Sequence, residues 1–344
     1  MNQRPAARMN PAVVALGGGH GLHATLRSAR QFSDDVTAVV TVADDGGSSG
    51  RLRRELGALP PGDLRMALAA LADGGEHGRL WSTTVQHRFG GSGALAGHPV
   101  GNLLITGLAE VLGDPVAALD AVGSLLGVRG RVLPMSPVPL DIQADVVGLQ
   151  DDPRVSTAIR GQHAVATTAG QVRRVRLLPA APPACADAVT AVRAADLVVL
   201  GPGSWFSSVI PHVLVPELLE AIMATEAVRV AVLNLSPQSG ETTGFTTERH
   251  LHVLSQHAPK LRLDAVVVDR RSVLPGRDLA HVDRVAAQLG AEVHLADVAV
   301  PGTDTHDEVL LGEVLEKVLR QGRVAGRTRP VPEATEGEDA PAWR

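Results

Sequence analysis

The sequence predicts an α/β protein with a Rossmann-like, doubly wound and mainly parallel sheet. Short runs rich in Val, Leu and Ala alternate along most of the 344 residues with longer stretches of helical periodicity. These short runs are almost continuously apolar, as expected for parallel strands that helices cover on both faces. Glycine-rich or polar segments follow several of them, which is the usual order of strand, turn and helix in such folds.

The first part of the chain contains the clearest elements. Residues 12–16 predict a strand, glycines follow, and residues 22–30 predict a helix. Residues 36–42 predict a second strand, followed by a polar segment. Two prolines and a glycine then form a turn before Asp63, which is an N-cap candidate for a helix over residues 64–71.

The later part repeats the alternation of strand and helix. Buried-looking strands are expected at residues 196–200, 228–233 and 263–268. The middle, residues 131–178, differs because short extended runs with Pro and Gly between them predict either a β-rich insertion or an antiparallel extension of the sheet. We expect one α/β domain over residues 11–323, with disordered segments at 1–10 and 324–344.

A first glycine loop follows the first predicted strand and consists of Gly17, Gly18, Gly19, His20 and Gly21. Glycines between a strand and a helix let backbone N–H groups approach an anion, and the helix start favours negative charge. The run from Gly19 to Ala24 also fits the G-x-G-x-x-A dinucleotide fingerprint, and Asp44 could meet a ribose. No Lys stands before a Ser or Thr there, which excludes a Walker A loop. A turn that only packs a helix on the sheet is the alternative.

A serine loop, residues 44–51, follows the second predicted strand and contains Asp44, Asp45, Gly46, Gly47, Ser48, Ser49 and Arg51. Its hydroxyls, free N–H groups and Arg51 suit a phosphate. Its two carboxylates suit a ribose or Mg²⁺, which prefers oxygen ligands. A solvated loop with Asx turns is the alternative.

Further polar residues lie at the ends of other predicted elements. Arg65 in the first turn of its helix opposes the helix dipole, which points to an anionic partner. His98 and Asn102 are four residues apart and would share a helix face. A second glycine loop consists of Gly201, Pro202, Gly203 and Ser204, and a later polar loop contains Asn234, Glu241 and Thr242. We take Asp45, Asp63 and His98 as catalytic candidates and Asp45 and Asp63 as metal ligands.

Composition narrows the classes of function. Aromatic residues make up only 2% of the chain and Tyr is absent, so base stacking is a poor basis for nucleic-acid binding. The net charge of -5 also argues against a nucleic-acid partner. Cys185 is the one cysteine, which excludes an internal disulfide and a Cys-based zinc site. With no secretory signal or long apolar span in the sequence, we expect a cytoplasmic protein without a membrane partner.

These segments occur in the order seen in the CofD/YvcK-like family, which the chain resembles over residues 12–320. The resemblance rests on both glycine loops, the serine loop, the Pro61-Gly62-Asp63-Leu64-Arg65 run, Gly97-His98, Gly101-Asn102 and Gly240-Glu241-Thr242. The chain is more similar to the gluconeogenesis-factor branch than to the 2-phospho-L-lactate transferases. It departs from that branch at His20, where Thr is usual, at His87, where Tyr is common, and at Thr305, where Arg is common.

The resemblance implies a factor that binds a nucleotide sugar of the UDP-sugar type and acts in cell shape, cell-wall precursor and carbon metabolism. The first alternative is a Mg²⁺-dependent transferase of the 2-phospho-L-lactate type with a nucleotide-activated donor such as a GDP derivative. The second is an NAD-type dinucleotide-binding protein. We expect the ligand phosphates between the two glycine loops, with Arg51 and Arg65 neutralising them. No general base stands out, so we expect binding rather than turnover. A homodimer is left open.

Overall fold

The computed structural model describes residues 10–325 except 153 and 239, and within that part it has two sheets. Its strands, in chain order, are β1 (Ala12–Gly17), β2 (Asp35–Val40), β3 (Arg131–Pro134), β4 (Asp141–Val147), β5 (Ser156–Arg160), β6 (Gln171–Leu178), β7 (Leu197–Leu200), β8 (Val228–Val232), β9 (Ala265–Asp269) and β10 (Glu292–Ala296). The larger sheet has the order β10-β9-β8-β7-β1-β2-β3, and all its neighbouring strands are parallel. The predicted parallel α/β fold is confirmed.

Helices flank this parallel sheet. They are α1 (Gly19–Ala29), α2 (Gly47–Leu56), α3 (Gly62–Leu71), α4 (Glu76–Gln86), α5 (Val100–Leu112), α6 (Pro115–Leu125), α7 (Gln162–Ala166), α8 (Ala186–Ala194), α9 (Ile210–Val213), α10 (Pro216–Ala224), α11 (Thr247–His257), α12 (Arg277–Gln288) and α13 (Glu308–Ala325). A π-helical turn, Trp205–Val209, leads into α9, and a 3-10 turn, Arg270–Ser272, follows β9. Every residue of β7 and β9 is buried, because strands this apolar need cover on both faces.

The order of the strands reverses between β1 and β7. The chain runs outward from β1 through β2 to β3, and then returns to the other side of β1 to lay down β7, β8, β9 and β10. Such a switch point leaves a crevice outside the carboxyl ends of the two central strands, where ligands of this fold class bind. Both glycine loops start at these two strand ends.

The middle of the chain forms a separate antiparallel sheet with the order β5-β4-β6. Along β4, buried residues alternate with half-buried ones, so one face of this sheet packs on the core and the other meets water. The β-rich insertion is therefore confirmed for residues 141–178, and the antiparallel extension of the main sheet is wrong. β3 instead joins β2 as a parallel edge strand of the main sheet.

Several element boundaries differ from the predicted ones. α1 begins at Gly19, three residues before the predicted start, because the extended Gly18 already serves as its N-cap. Asp63 lies inside the first turn of α3, and Pro61 takes the N-cap position. β10 was not predicted, since Glu292 and His294 interrupt its apolar residues.

The two predicted disordered segments lie mostly outside the described residues. Residues 1–9 and 326–344 belong to the undescribed parts of the chain. Asn10 is described, and its side-chain oxygen accepts a hydrogen bond from the N–H of Asp34 at 2.7 Å. Residues 324 and 325 belong to α13, so this helix extends slightly into the predicted tail.

Among the described residues, no single helix is long and apolar enough to cross a membrane. Two consecutive helical segments, Trp205–Val213 and Pro216–Ala224, are long and apolar enough only when they are combined, and they meet at an angle of 72°. Most of their apolar side chains are buried in the core of the protein.

Candidate functional site

The two glycine loops meet at the switch point. Gly21, in the first turn of α1, packs directly on the second glycine loop, and a side chain there would overlap the carbonyl group of Pro202. The hydroxyl of Thr25, one turn further along α1, donates to the carbonyl oxygen of Gly201 at 3.0 Å. Glycine is therefore required at position 21 by space, and the two loops form one continuous surface.

The first glycine loop presents an open backbone at the start of α1. Gly19 has φ +59, and a Cβ atom built on it would have no other atom within 4 Å. His20 beside it is exposed. The first N–H groups of a helix have no partner within the helix, so this turn can approach an anion closely. The turn is open at Gly19, and phosphate binding there stays a prediction.

Asp63 lies at this same helix start. Its carboxylate contacts Gly18 and accepts a hydrogen bond from the N–H of Gly19. Desolvation, with a smaller contribution from the negative charge of Asp44, raises the pKa of Asp63 to about 7. The Gly19 N–H and the charge of Arg65 act in the opposite direction. Asp63 therefore lies beside the first glycine loop in the folded protein, although it follows Gly19 by 44 residues in the sequence.

In the serine loop, the two adjacent carboxylates face different partners. Asp44 turns back to accept the N–H of Gly46 at 2.9 Å and lies beside Gly62, on the side of Asp63. Asp45 instead accepts the N–H of His163, at the start of α7, at 2.9 Å. The structure therefore brings Asp44, rather than Asp45, next to Asp63. Asp45 connects the serine loop to the inserted sheet.

Among the remaining serine-loop residues, some hold neighbouring helices together and others lie towards the surface. The hydroxyl of Ser49 is buried and accepts the N–H of Gly62 at 3.0 Å, which fixes the start of α3 against that of α2. Arg51 is half-buried, and its guanidinium donates to Glu55 at 2.8 Å and to the carbonyl oxygen of Ala94 at 2.8 Å. Gly47 has no close neighbour and begins α2.

Four predicted site residues form one hydrogen-bonded chain, which we call the arginine network: Arg65, Asn102, Ser48 and His98. The Nε of Arg65 donates to Oδ1 of Asn102 at 2.9 Å, and Nδ2 of Asn102 donates to the hydroxyl of Ser48 at 3.0 Å. Ser48 Oγ lies 2.8 Å from Nδ1 of His98. His98 and Asn102 thus meet through Ser48 rather than along one helix face, since α5 begins only at Val100.

The direction of the arginine network follows from its donors. A guanidinium can only donate, so the amide of Asn102 must turn its oxygen to Arg65 and its NH₂ to Ser48. The Ser48 oxygen accepts that bond, and its own hydrogen can then go to Nδ1 of His98. In this tautomer a neutral His98 carries its proton on Nε2, where it is a hydrogen-bond donor; in the other tautomer Nδ1 donates to Ser48. Burial, followed by the positive charge of Arg88, lowers the pKa of Arg65 to about 10.

The second glycine loop is clamped by Asn234, which follows β8. The side-chain oxygen of Asn234 accepts the N–H of Gly203 at 2.9 Å, and its NH₂ donates to the carbonyl of Gly203 at 2.9 Å. Both bonds fix the backbone of Gly203, which has φ +140, just before Ser204 and the π-helical turn. The predicted polar residue after β8 therefore shapes the glycine loop beside it.

The helix start after the second glycine loop is filled by the protein's own carboxylate. Glu241 is 2% exposed, and its Oε1 accepts the N–H of Phe206 at 3.3 Å. Burial raises the pKa of Glu241 to about 7, although the N–H groups at the helix start act in the opposite direction. Thr242 is fully buried and accepts the N–H of Gln238 at 2.8 Å, closing the same loop. We expected free N–H groups at both helix starts, but Asp63 accepts the N–H of Gly19 at the first and Glu241 accepts that of Phe206 at the second.

A cleft of about 280 Å³ adjoins the Asn234 clamp. It lies beyond the carboxyl ends of β8 and β9, and residues from the loops after these strands and from α11 and α12 line it: Asn234, Leu235, Ser236, Phe245, His250 and Ser272 are among them. Sequence reasoning missed the aromatic lining and also Arg88, which lies in no recognisable motif. The polar loop after β8 was the only signal that pointed here.

Comparison with known proteins decides the family. The model of the family described as "2-phospho-L-lactate transferase CofD" matches residues 13–302. The chain belongs to the CofD family. CofD-family relatives include a "Putative gluconeogenesis factor" of Mycobacterium tuberculosis (strain H37Rv), which is 62% identical over 98% of this chain and 100% of that protein. A "Gluconeogenesis factor" of Bacillus subtilis (strain 168) is 36% identical over 76% of this chain and 80% of that protein.

Solved structures support the same assignment of the CofD-family fold. A crystal structure of a UPF0052-family protein from Bacillus halodurans superimposes with a TM-score of 0.79 and 32% sequence identity. The match covers 90% of this chain and 100% of that protein. The predicted resemblance to the CofD/YvcK-like family is confirmed.

Proposed function

We propose that this CofD-family protein is a gluconeogenesis factor that acts by binding a nucleotide sugar, with the ligand phosphates at the start of α1. The observation that carries the proposal is the open backbone of Gly19 at the topological switch point. Anions bind at such helix starts because unpaired N–H groups and the helix dipole both favour negative charge. The second glycine loop, held by Asn234, forms the other wall of the crevice.

The cleft beside Asn234 supports a ligand that extends beyond its phosphates. Its volume of about 280 Å³ is near the lower end for small-molecule pockets, roughly 300–1,000 Å³, and suits one part of a nucleotide sugar. Phe245 offers an apolar ring, while Ser272 and Asn234 offer hydrogen bonds to hydroxyls or a base edge. The UDP-sugar is therefore expected to run from the α1 start, past the Asn234 clamp, into this cleft.

Mg²⁺ fits the pair Asp44 and Asp63 better than the pair Asp45 and Asp63. The two carboxylates are near enough for the charge of Asp44 to raise the pKa of Asp63, and a divalent cation would remove that repulsion. Asp45 is turned towards His163. A bound cation would neutralise ligand phosphates at the first glycine loop. Asp44 and Asp63 would hold it.

The arginine network supports binding rather than turnover. With Ser48 donating to Nδ1 of His98, the other ring nitrogen carries the proton, so His98 acts as a hydrogen-bond donor rather than a free base. Two observations speak for the alternative function, a transferase: the carboxylate pair Asp44 and Asp63, and the family's description.

The cellular role is proposed from the relatives. Their names support a role in gluconeogenesis, and the resemblance to the family supports cell-wall precursor metabolism with an effect on cell shape, in the cytoplasm. A homodimer stays a prediction.

A ligand screen tests the proposal. Thermal unfolding would be followed with UDP-glucose, GDP, NAD and ATP, each with and without Mg²⁺. Since a ligand that binds the folded state raises the unfolding temperature, UDP-glucose should give the largest increase. A larger increase with NAD would favour the dinucleotide reading. Multiple-turnover release of UDP or GDP in the presence of acceptors, lost in Asp63→Asn, would replace the binding role by transferase activity.

A further inference from the structure

Arg65 carries a buried charge whose hydrogen-bond partner is a neutral amide. It is 6% exposed, and its Nε donates to the amide oxygen of Asn102 at 2.9 Å. Within the described residues, no carboxylate forms an ion pair with it, and Asp63 turns instead towards Gly18 and Gly19. Burying a charge without an opposite charge beside it costs free energy. An anion bound from outside the chain would therefore stabilise this guanidinium.

A second guanidinium stands at the exposed side of the same region. Nη1 of Arg88 donates to the carbonyl oxygen of Gly97 at 2.8 Å, and the backbone of Arg88 pairs with that of Pro99. These contacts hold Arg88 beside His98, close enough for its charge to lower the pKa of Arg65. Like Arg65, Arg88 has no ion pair in the part of the chain that the structure describes.

The local backbone is built to admit the side chain of Arg65. A Cβ atom at Gly101 would lie 2.9 Å from both Cγ and Cδ of Arg65. Position 101 therefore needs glycine so that Arg65 can pass beneath α5 and reach Asn102. When Ser48 donates to Nδ1 of His98, the Nε2–H of His98 is a third donor beside the two guanidinium groups.

We propose that Arg65, Arg88 and the Nε2–H of His98 form an anion subsite that binds one oxyanion, a phosphate or a carboxylate. Guanidinium groups pair with such groups through two parallel N–H bonds, and a neutral imidazole N–H adds a third contact. This subsite lies between α2, α3 and α5, and it is distinct from the nucleotide phosphates placed at the first glycine loop. Its occupant is either a free small anion or a second acidic group of the nucleotide ligand.

Inorganic phosphate is a direct probe of this subsite. Thermal unfolding of the full chain would be measured in phosphate against chloride at equal ionic strength. Phosphate should raise the unfolding temperature of the wild type in a saturable way. Arg65→Met and Arg88→Gln should each weaken the apparent phosphate affinity by about tenfold or more, as expected when a charge-assisted hydrogen bond is lost.

Two comparisons keep the result interpretable. Arg88 is exposed, so Arg88→Gln tests the subsite even if Arg65→Met folds poorly. The control is Arg229→Met, because Arg229 is a similarly shielded arginine that is paired with Asp264 at 3.0 Å. It should destabilise the protein but leave the phosphate response unchanged. Equal phosphate affinity in wild type, Arg65→Met and Arg88→Gln, or no phosphate effect beyond chloride, would overturn the proposal.

A further arm identifies the source of the anion. If saturating UDP-glucose and UDP-glucuronate both leave phosphate affinity unchanged, the subsite takes a separate small anion. If UDP-glucuronate, whose sugar carries a carboxylate, displaces phosphate in the wild type and UDP-glucose does not, the subsite takes that second acidic group of the ligand. Displacement by UDP-glucose itself would place the diphosphate in the subsite and would overturn the proposal. Gly19→Ala separates this proposal from the nucleotide site, because it should weaken the binding of UDP-glucose and of any phosphate at the start of α1. The loss of phosphate affinity caused by Arg88→Gln should be the same in the Gly19→Ala background as in the wild type.

Discussion

Replacing Glu241 by Gln should change how the stability of the protein depends on pH. Glu241 is 2% exposed, its pKa is raised to about 7 from an ordinary value of 4.5, and its Oε2 has no hydrogen-bond partner among the described residues. Gln keeps the oxygen that accepts the N–H of Phe206 and removes the ionisable proton. The substitution is nearly equal in shape, so packing should change little.

The direction in which stability changes with pH follows from the raised pKa of Glu241. Between about pH 4.5 and pH 7 the folded protein holds a proton on Glu241 that the unfolded chain has released, so stability falls as pH rises through this range. Above pH 7 the loss is complete. A shift of about 2.5 pKa units, in which the opposing effect of the helix-start N–H groups is already included, corresponds to about 3 kcal/mol.

Urea unfolding of wild type and Glu241→Gln at a series of pH values from 4 to 9 is the measurement. The variant should be about 1–3 kcal/mol more stable than wild type at pH 8 and nearly equal to it at pH 4.5. Glu110 on α5 is exposed, so Glu110→Gln should stay within about 0.5 kcal/mol of wild type at every pH. If Glu241→Gln differed from wild type by the same margin at both ends of the range, folding would not shift the pKa of Glu241 and the reasoning would be wrong.

Three further substitutions test other parts of the site. Gly21→Ala should destabilise the protein by about 1–3 kcal/mol in urea unfolding, because the new methyl group overlaps Pro202; a neutral effect would contradict the tight contact. Asn234→Ala should cost about 1–3 kcal/mol, since both polar groups of Gly203 lose their partner, and unchanged stability would show that water replaces the clamp. Asp63→Asn should abolish stabilisation by Mg²⁺ in thermal unfolding at pH 8, and a retained Mg²⁺ effect would place the cation elsewhere.

The central fold could be predicted from the sequence because its strands are apolar and each of them is followed by a clear turn. The runs at β1, β7, β8 and β9 are nearly free of polar residues, and a glycine-rich or polar turn follows each one. β10 lacked this signal because Glu292 and His294 interrupt it. The pairing of β3 with β2 also lay beyond the sequence, since a four-residue strand next to a long insertion gives no information on which sheet it joins.

The residues of the candidate site could be predicted from the sequence, but the contacts between them could not. All four members of the arginine network were singled out, yet their order depends on α2, α3 and α5 coming together in space. Asp44 and Asp45 are equivalent in sequence, and only the position of α7 separates their roles. Glu241 was expected to read a ligand, but burial places it at the helix start of Phe206.

Binding of UDP-glucose to Gly19→Ala and Gly113→Ala tests the central claim most directly. Both glycines have positive φ, +59 and +67, and neither has an atom within 4 Å of an added Cβ, so both substitutions should cost about 1 kcal/mol of stability. Gly113 follows the far end of α5 and serves as the control. By titration calorimetry, Gly19→Ala should bind UDP-glucose at least about tenfold more weakly than Gly113→Ala, because its methyl group occupies the position of the phosphates. Equal affinities in the two folded variants would contradict the placement of the ligand at the start of α1.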